Sequence, residues 1–179
     1  MEKESYKVLE YEKLREMIAA RAGSSLGKEH ARSLQPSTDY AEVEEQLEQT
    51  AEAVRIHAVT SPPFGGIHDL RPLLKKIHMG AVLTLEELVD IRSTLYAMRS
   101  VKEFFKGLEI EAPTLKEWAH GIEILGQLER RLENTLDEHG SLRDDASVEL
   151  RRLRTEIQTT QNRIKERVGA ALRAPENQK

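Results

Sequence analysis

The chain has 179 residues, contains no cysteine and carries a formal net charge of −4 at pH 7. Without cysteine, disulfides, thiolate chemistry and Cys-based zinc or iron–sulfur sites are excluded. Aromatic residues make up 4% of the chain and charged residues 32%, a mixture typical of helical bundles with aliphatic cores. No apolar run approaches the ~20 residues that span a bilayer, and the first residues, Met-Glu-Lys-Glu-Ser-Tyr, lack the apolar core of a signal peptide. We expect a soluble, cytoplasmic protein that does not engage a membrane.

The charge is distributed unevenly along the chain. Residues 1–140 carry 18 Lys and Arg against 25 Asp and Glu, a net charge of −7, whereas residues 141–179 carry 9 against 6, a net charge of +3. A basic segment on an acidic body can attract polyanions, because binding follows local charge. A solvated helix surface produces the same pattern, so charge alone does not decide between the two interpretations.

Apolar residues in the first third of the chain recur at helical spacing. They predict helices over residues 8–22, 25–34 and 37–59, the first ending before Gly23 and the second before Pro36. The third begins with N-cap candidates at residues 37–39. Its predicted buried side consists of Val43, Leu47, Ala51, Val54 and Val59. A proline–glycine segment then interrupts the chain.

The remaining elements are also predicted to be helical. Helices are expected over residues 69–79, 84–106 and 114–125, followed by a helical stretch to about residue 137. Thr84 and Thr114 each precede a glutamate by three residues, which is the capping-box pattern of a helix N-terminus. A turn at residues 139–141 and a short extended stretch lead to Ser147, which caps the last helix. Because no segment alternates with a period of two, the sequence predicts an all-α protein.

The last helix, from Ser147 to about Arg173, has an unusually narrow apolar seam. Such a seam is what one helix presents to a single partner helix. At ~1.5 Å per residue the helix runs about 40 Å. Its partner is not found within the chain, so we expect a projecting, coiled-coil-like arm from a larger assembly. The seam residues are Leu150, Leu153, Ile157, Thr160 or Gln161, Ile164, Val168 and Leu172.

Patterns for catalysis, cofactors and metals are weak throughout the chain. The segment from Gly23 to Lys28 has three residues between its glycines instead of the four of a phosphate-binding loop, and no Ser or Thr follows the lysine. A single Glu-x-x-His step, Glu117 to His120, falls short of the repeated steps of a di-metal bundle. No serine lies in a Gly-x-Ser-x-Gly elbow. The sequence therefore predicts no catalytic residue, no cofactor-binding residue and no metal ligand.

Six basic side chains flank the seam and are the one candidate binding site. Side chains of this kind contact the phosphate backbone of nucleic acids. Glutamates are interleaved with them, however, and mixed charges beside a coiled-coil seam commonly pair across helices. Both interpretations stay open at this point. The candidate residues are Arg151, Arg152, Arg154, Arg163, Lys165 and Arg167.

Several stretches together resemble the N-terminal region of the type-two bacterial MutS-like proteins, the branch that usually carries a C-terminal Smr nuclease domain. The most specific are the proline–glycine segment and the turn that precedes the last helix. The stretches, in order, are Leu-Glu-Tyr-Glu-Lys-Leu at 9–14, Leu-Gln-Pro-Ser-Thr-Asp at 34–39, Pro-Pro-Phe-Gly-Gly-Ile-His-Asp-Leu-Arg-Pro-Leu-Leu at 62–74, Leu-Thr-Leu-Glu-Glu-Leu at 83–88, Arg-Asp-Asp-Ala-Ser at 143–147 and Glu-Leu-Arg-Arg-Leu-Arg at 149–154.

The resemblance implies that residues 1–145 are the first part of a helical core or lever domain and that residues 146–179 are the outgoing arm of its clamp. It also implies a full-length homodimeric ATPase that uses ATP and Mg²⁺ and binds branched DNA, ribosomes with their rRNA, or both. Such proteins restrain recombination and split collided ribosomes. The Walker and Smr motifs are absent from these residues, as is the Phe-x-Glu motif of the mismatch-repair branch.

The leading interpretation is therefore a non-catalytic core-and-arm fragment that transmits motor motion to the clamp. The alternative is a stand-alone coiled-coil interaction module that does not bind nucleic acid, in which the arm dimerises. An enzyme with its active site within these residues ranks third.

Overall fold

The structure, a computed structural model, describes residues 3–173, with side chains described over residues 6–170. Within this range the chain is helical, apart from loops and one isolated antiparallel bridge between Leu136 and Leu142. The predicted all-α fold is confirmed. The helices are α1 (Lys3–Val8), α2 (Tyr11–Arg21), α3 (Ser25–Ser33), α4 (Tyr40–His57), α5 (Arg71–His78), α6 (Leu85–Lys106), α7 (Pro113–His120), α8 (Gly126–Thr135) and α9 (Val148–Arg173).

Four helices begin at a capping side chain, and the sequence indicates three of these caps: Asp39, Thr84 and Ser147. In each, a side-chain oxygen accepts a hydrogen bond from the backbone N–H three residues later, which satisfies a donor that the helix itself leaves unpaired. At α6 the Glu87 carboxylate also accepts from the Thr84 backbone N–H at 2.7 Å, so the predicted capping box is complete. The four capping residues are Ser24, Asp39, Thr84 and Ser147.

The first predicted helix begins at Tyr11, three residues later than predicted, and α1 before it was not predicted. The two helices are separated at Glu10, whose φ of 50° is a left-handed conformation that cannot continue a right-handed helix. Beyond the break, the Arg15 guanidinium lies 5.5 Å from the centre of the Tyr11 ring. Helix α2 then packs against α3.

The predicted buried side of α4 is wrong at three of its five residues, although Val43 and Ala51 are partly buried. Leu47, Val54 and Val59 are 64%, 63% and 76% exposed. The residues of α4 that are buried are Glu52 and Ile56. Ile56 joins the apolar core, whereas Glu52 is buried because it has hydrogen-bond partners on α7.

Helix α7 differs from its prediction at both ends. It begins at Pro113 and ends at His120, and it has no side-chain cap of its own. Thr114 therefore lies inside the first turn and is not the N-cap. Instead, the Glu52 carboxylate accepts hydrogen bonds from the backbone N–H groups of Thr114 and Leu115, at 3.1 and 2.9 Å. A side chain from α4 thus caps a helix that begins 61 residues later in the chain.

The apolar core is built around α6, the second-longest helix of the described chain. Phe105, at 7% exposure, packs with buried residues of α4 and α7, and its ring meets Phe104 edge to face at 5.3 Å. The Nε–H of Arg99 on α6 donates to both carboxylate oxygens of the buried Glu129 of α8, at 3.0 and 3.1 Å. The buried core residues are Ile56, Val101, Phe105, Ala112 and Ala119.

The chain divides into two compact units, one ending at Glu129 and the other beginning at Arg130. The first contains the core around α6, and the second contains the bridged turn and α9. Among the described helices, none is long and apolar enough to cross a membrane.

Candidate nucleic-acid interface

The basic segment is positioned by the turn that precedes α9. The Leu136–Leu142 bridge closes a loop in which Asp137 accepts hydrogen bonds from the backbone N–H groups of His139 and Ser141, both at 2.8 Å. Gly140 has a φ of 77°, a conformation that favours glycine. The Ser147 hydroxyl then accepts from the Leu150 N–H at 3.0 Å and begins the helix.

The apolar seam of α9 is open to solvent. Leu153 is 43% exposed and Ile157 is 56% exposed. Ile164 and Val168 follow at 55% and 54%. The side chain of Leu172 lies outside the described residues. Apolar side chains at regular helical spacing are normally buried, so this seam is a surface without a packing partner in the described part of the chain.

The six candidate basic residues divide into two sets on opposite sides of the seam. Steps of three and eleven residues return to nearly the same side of an α-helix, which places Arg151, Arg154 and Lys165 together. Arg152 and Arg163, eleven residues apart, lie on the other side with Arg167. The structure therefore does not bring the six together into one patch.

The side of α9 that carries Arg152 is internally paired. Arg152 donates to Glu149 at 2.7 Å and to Glu156 at 3.0 Å. The hydrogen bond to Glu149 raises the pKa of Arg152 above its ordinary value, although partial burial opposes the shift. This is the mixed-charge pattern of a solvated helix surface.

On the side that carries Arg151, Arg154 and Lys165, the acidic residue of α9 nearest in helical position is Glu166, about 60° around the helix from Arg151. Arg154 pairs with Asp144, which lies in the preceding turn. Arg143 likewise holds Asp145 at 3.2 Å and keeps the pKa of that carboxyl below its ordinary value. Neither Arg151 nor Lys165 forms an ion pair within the described residues.

A shallow groove lies along the same side at the beginning of α9. The groove is lined by Arg151 and Arg154, by the Asp144 carboxylate that pairs with Arg154, and by Ile157, Gln158 and the hydroxyl-bearing Thr155 and Thr159. Cationic and hydroxyl side chains are the groups that donate to phosphate oxygens. This side of α9 is thus the part of the predicted site whose chemistry suits a phosphate backbone best.

The two weak sequence patterns lie in ordinary helical structure. In the Gly23–Lys28 segment, the Gly27 N–H donates to the Ser24 hydroxyl at 3.0 Å and begins α3. Glu117 and His120 lie on α7, and over the described residues no group of three or more His, Asp or Glu side chains is placed to hold a metal ion.

One cationic cluster was not predicted from the sequence. It lies between α6 and α7 and consists of Lys102, Lys106, Lys116 and His120. The available signal was the four-residue spacing within each helix, which places both members of a pair on one side. That signal has no meaning until the two helices are known to pack together.

Comparison with known proteins gives relatives that share one name. The chain is 35% identical over 170 residues to Endonuclease MutS2 of Bacillus velezensis, covering 93% of this chain. It is 37% identical over 176 residues to Endonuclease MutS2 of a Geobacillus species, and 36% identical over 177 residues to that of Bacillus cereus. The chain spans 22% of the length of each of these relatives. No protein-family profile matches it.

Proposed function

The chain belongs to the Endonuclease MutS2 family, and on that premise we propose that it is a non-catalytic core and arm of a longer nucleic-acid-binding protein. In this proposal residues 1–145 form part of the core or lever, and residues 146–179 form the outgoing arm of a clamp. The observation that carries the proposal is the exposed apolar seam of α9 with a basic side beside it.

The seam supports pairing of α9 with a second helix. Four apolar side chains, each more than 40% exposed, recur on one side of a helix of 26 residues. Covering a seam of this kind is favourable by about 25 cal/mol for each Å² of apolar surface removed from water. The returning arm of the same longer protein is the partner we propose.

The basic side supports contact with nucleic acid. The relatives are named endonucleases, so their substrates carry phosphodiester backbones. Arg151, Arg154 and Lys165 lie along about 21 Å of helix at the usual rise per residue, a span of several phosphates. We propose that these three residues make the contacts and that Arg152, Arg163 and Arg167 serve mainly in pairing with Glu149, Glu156 or the partner helix.

The core supports a mechanical role. Helix α6 is joined to α4 and α7 by the apolar core, and its Arg99 holds Glu129 of α8. Such packed helices move as a rigid body. We propose that this body transmits the motion of an ATP- and Mg²⁺-dependent motor in a homodimer, whose substrates are branched DNA, ribosomes with their rRNA, or both.

A charge-reversal experiment tests the binding proposal. Arg151→Glu with Lys165→Glu in a full-length protein that carries this segment removes two cations that have no ion pair within the described residues. We expect binding to branched DNA or to ribosomal RNA to weaken roughly tenfold or more, and the slope of log K against log salt to fall by about 2. Binding would be followed by fluorescence anisotropy across a salt titration.

Arg152→Glu with Arg163→Glu is the matched control, because it makes the same change in net charge on the other side of α9. The proposal expects this control to bind almost as tightly as the unaltered protein. Equal losses in both variants would mean that only net charge matters. Unchanged binding in both, together with association of the chain through its arm, would favour the stand-alone coiled-coil module.

A further inference from the structure

A second cationic site lies in the first structural unit, on helices α6 and α7. A cavity of about 250 Å³ opens between α6 and α7. Its floor is apolar, since Phe105 and Ala119 are 7% and 4% exposed. The other lining residues are Lys102, Lys106, Lys116 and His120.

Helix geometry explains why these four side chains converge. Lys102 and Lys106 are four residues apart on α6, and Lys116 and His120 are four residues apart on α7, so each pair lies on one side of its helix. The two helices pack directly against each other. The small side chain of Ala119 leaves the space between the pairs unfilled.

The positive charge of the cavity is only partly neutralised by the protein. The Lys102 ammonium group donates to the backbone carbonyls of His120 and Ile122, at 2.9 and 2.6 Å, and so occupies the carbonyl end of α7. Lys106 and Lys116 form no ion pair within the described residues. The nearest acidic neighbour on α6, Glu103, lies 3.6 Å from Arg99, with which it pairs.

We propose that this cavity binds a phosphate group. Ammonium groups on separate flexible stems surround a tetrahedral oxyanion, whereas a planar carboxylate is better matched by the fork of an arginine. A bound dianion relieves the repulsion among the lysines, and the apolar floor weakens competition from water. The phosphate is either a free anion or part of a phosphodiester chain. The site is independent of the arm and of its proposed contacts.

The test is a titration of the 179-residue chain followed by ¹H–¹⁵N spectra at constant ionic strength. The probes are inorganic phosphate, a short all-thymidine oligonucleotide and acetate. We expect saturable shifts of the backbone amides of residues 116–120 with a phosphate-bearing probe and none with acetate. Lys106→Gln with Lys116→Gln should weaken the binding about tenfold or more, because two charge-assisted contacts are lost.

The control variant is Lys28→Gln with Lys75→Gln, which removes two exposed lysines elsewhere in the first unit. It should bind each probe like the unaltered chain. If inorganic phosphate saturates the site and the oligonucleotide does not, the ligand is a free anion. If the oligonucleotide binds more tightly than inorganic phosphate, the ligand is a phosphate of a nucleic-acid backbone. Shifts that do not saturate, equal shifts with acetate, or equal losses in the control variant would overturn the proposal.

Discussion

At the scale of single residues, Glu52 is an acidic side chain in a buried site. Its carboxylate is fully buried, and two backbone N–H groups at the beginning of α7 donate to it. The positive end of the α7 dipole also favours a negative charge there. Burial raises the pKa of Glu52, but the hydrogen bonds from Leu115 and Thr114 outweigh it, so the pKa lies below its ordinary value.

Glu52→Ala is therefore expected to lower the free energy of unfolding by about 2–4 kcal/mol, because two partly buried N–H groups lose their acceptor. Glu52→Gln should cost less, since the amide oxygen still accepts a hydrogen bond. Urea denaturation followed by circular dichroism measures both. Glu44→Ala, an exposed change on the same helix, should stay within about 0.5 kcal/mol. A Glu52→Ala protein as stable as this control would contradict the capping role.

The same contact has a defined dependence on pH. The pKa of Glu52 is lower in the folded than in the unfolded protein, so the unfolded state binds a proton at this carboxylate more tightly than the folded state does. The stabilisation is present above the ordinary glutamate pKa of 4.5 and is lost as the pH falls through the lower folded-state value. The difference in stability between the unaltered chain and Glu52→Gln should therefore shrink below about pH 4.5.

At the scale of elements, helix termini formed by neighbouring residues were predictable and those formed at long range were not. The partners in the Thr84 box are three residues apart, so sequence alone reveals them. The same Thr-x-x-Glu pattern at Thr114 gave a wrong N-cap prediction, because α7 is capped by Glu52, 62 residues away from Thr114. The buried side of α4 also depends on a long-range contact. Glu52 is buried where it bonds to α7, whereas Leu47 and Val54, predicted to be buried from their apolar spacing, are exposed.

The capping box of α6 provides the prediction at this scale. Thr84→Ala should lower the free energy of unfolding by about 1 kcal/mol, because the Glu87 N–H loses its side-chain acceptor. Thr159→Ala in the exposed part of α9 should leave the stability unchanged or slightly raised, since its hydroxyl only donates back to the Thr155 carbonyl. Equal effects of the two changes in urea denaturation would show that the capping box is not stabilising.

At the scale of the whole molecule, sequence reasoning identified the fold class and the family but only part of the candidate site. The seam of α9 is visible in its spacing because Leu153, Ile157 and Ile164 are close in sequence. The separation of Arg151 and Arg154 from Arg152 also follows from spacing. The lysine cluster was not predicted from the sequence, because Lys106 and Lys116 come to line one cavity only when α6 packs against α7. A site formed only when separate helices pack together cannot be recognised from the sequence alone.

The central claim is that the seam of α9 is uncovered in this chain and pairs with another helix in the longer protein. Amide hydrogen exchange of α9 in a monomeric sample of the 179-residue chain, and of the matching segment in a full-length Endonuclease MutS2, tests it most directly. We predict rapid exchange of residues 153–168 in the chain alone, with α6 protected, and strong protection of that segment in the full-length protein. Protection of α9 equal to that of α6 in the monomeric chain would contradict the claim.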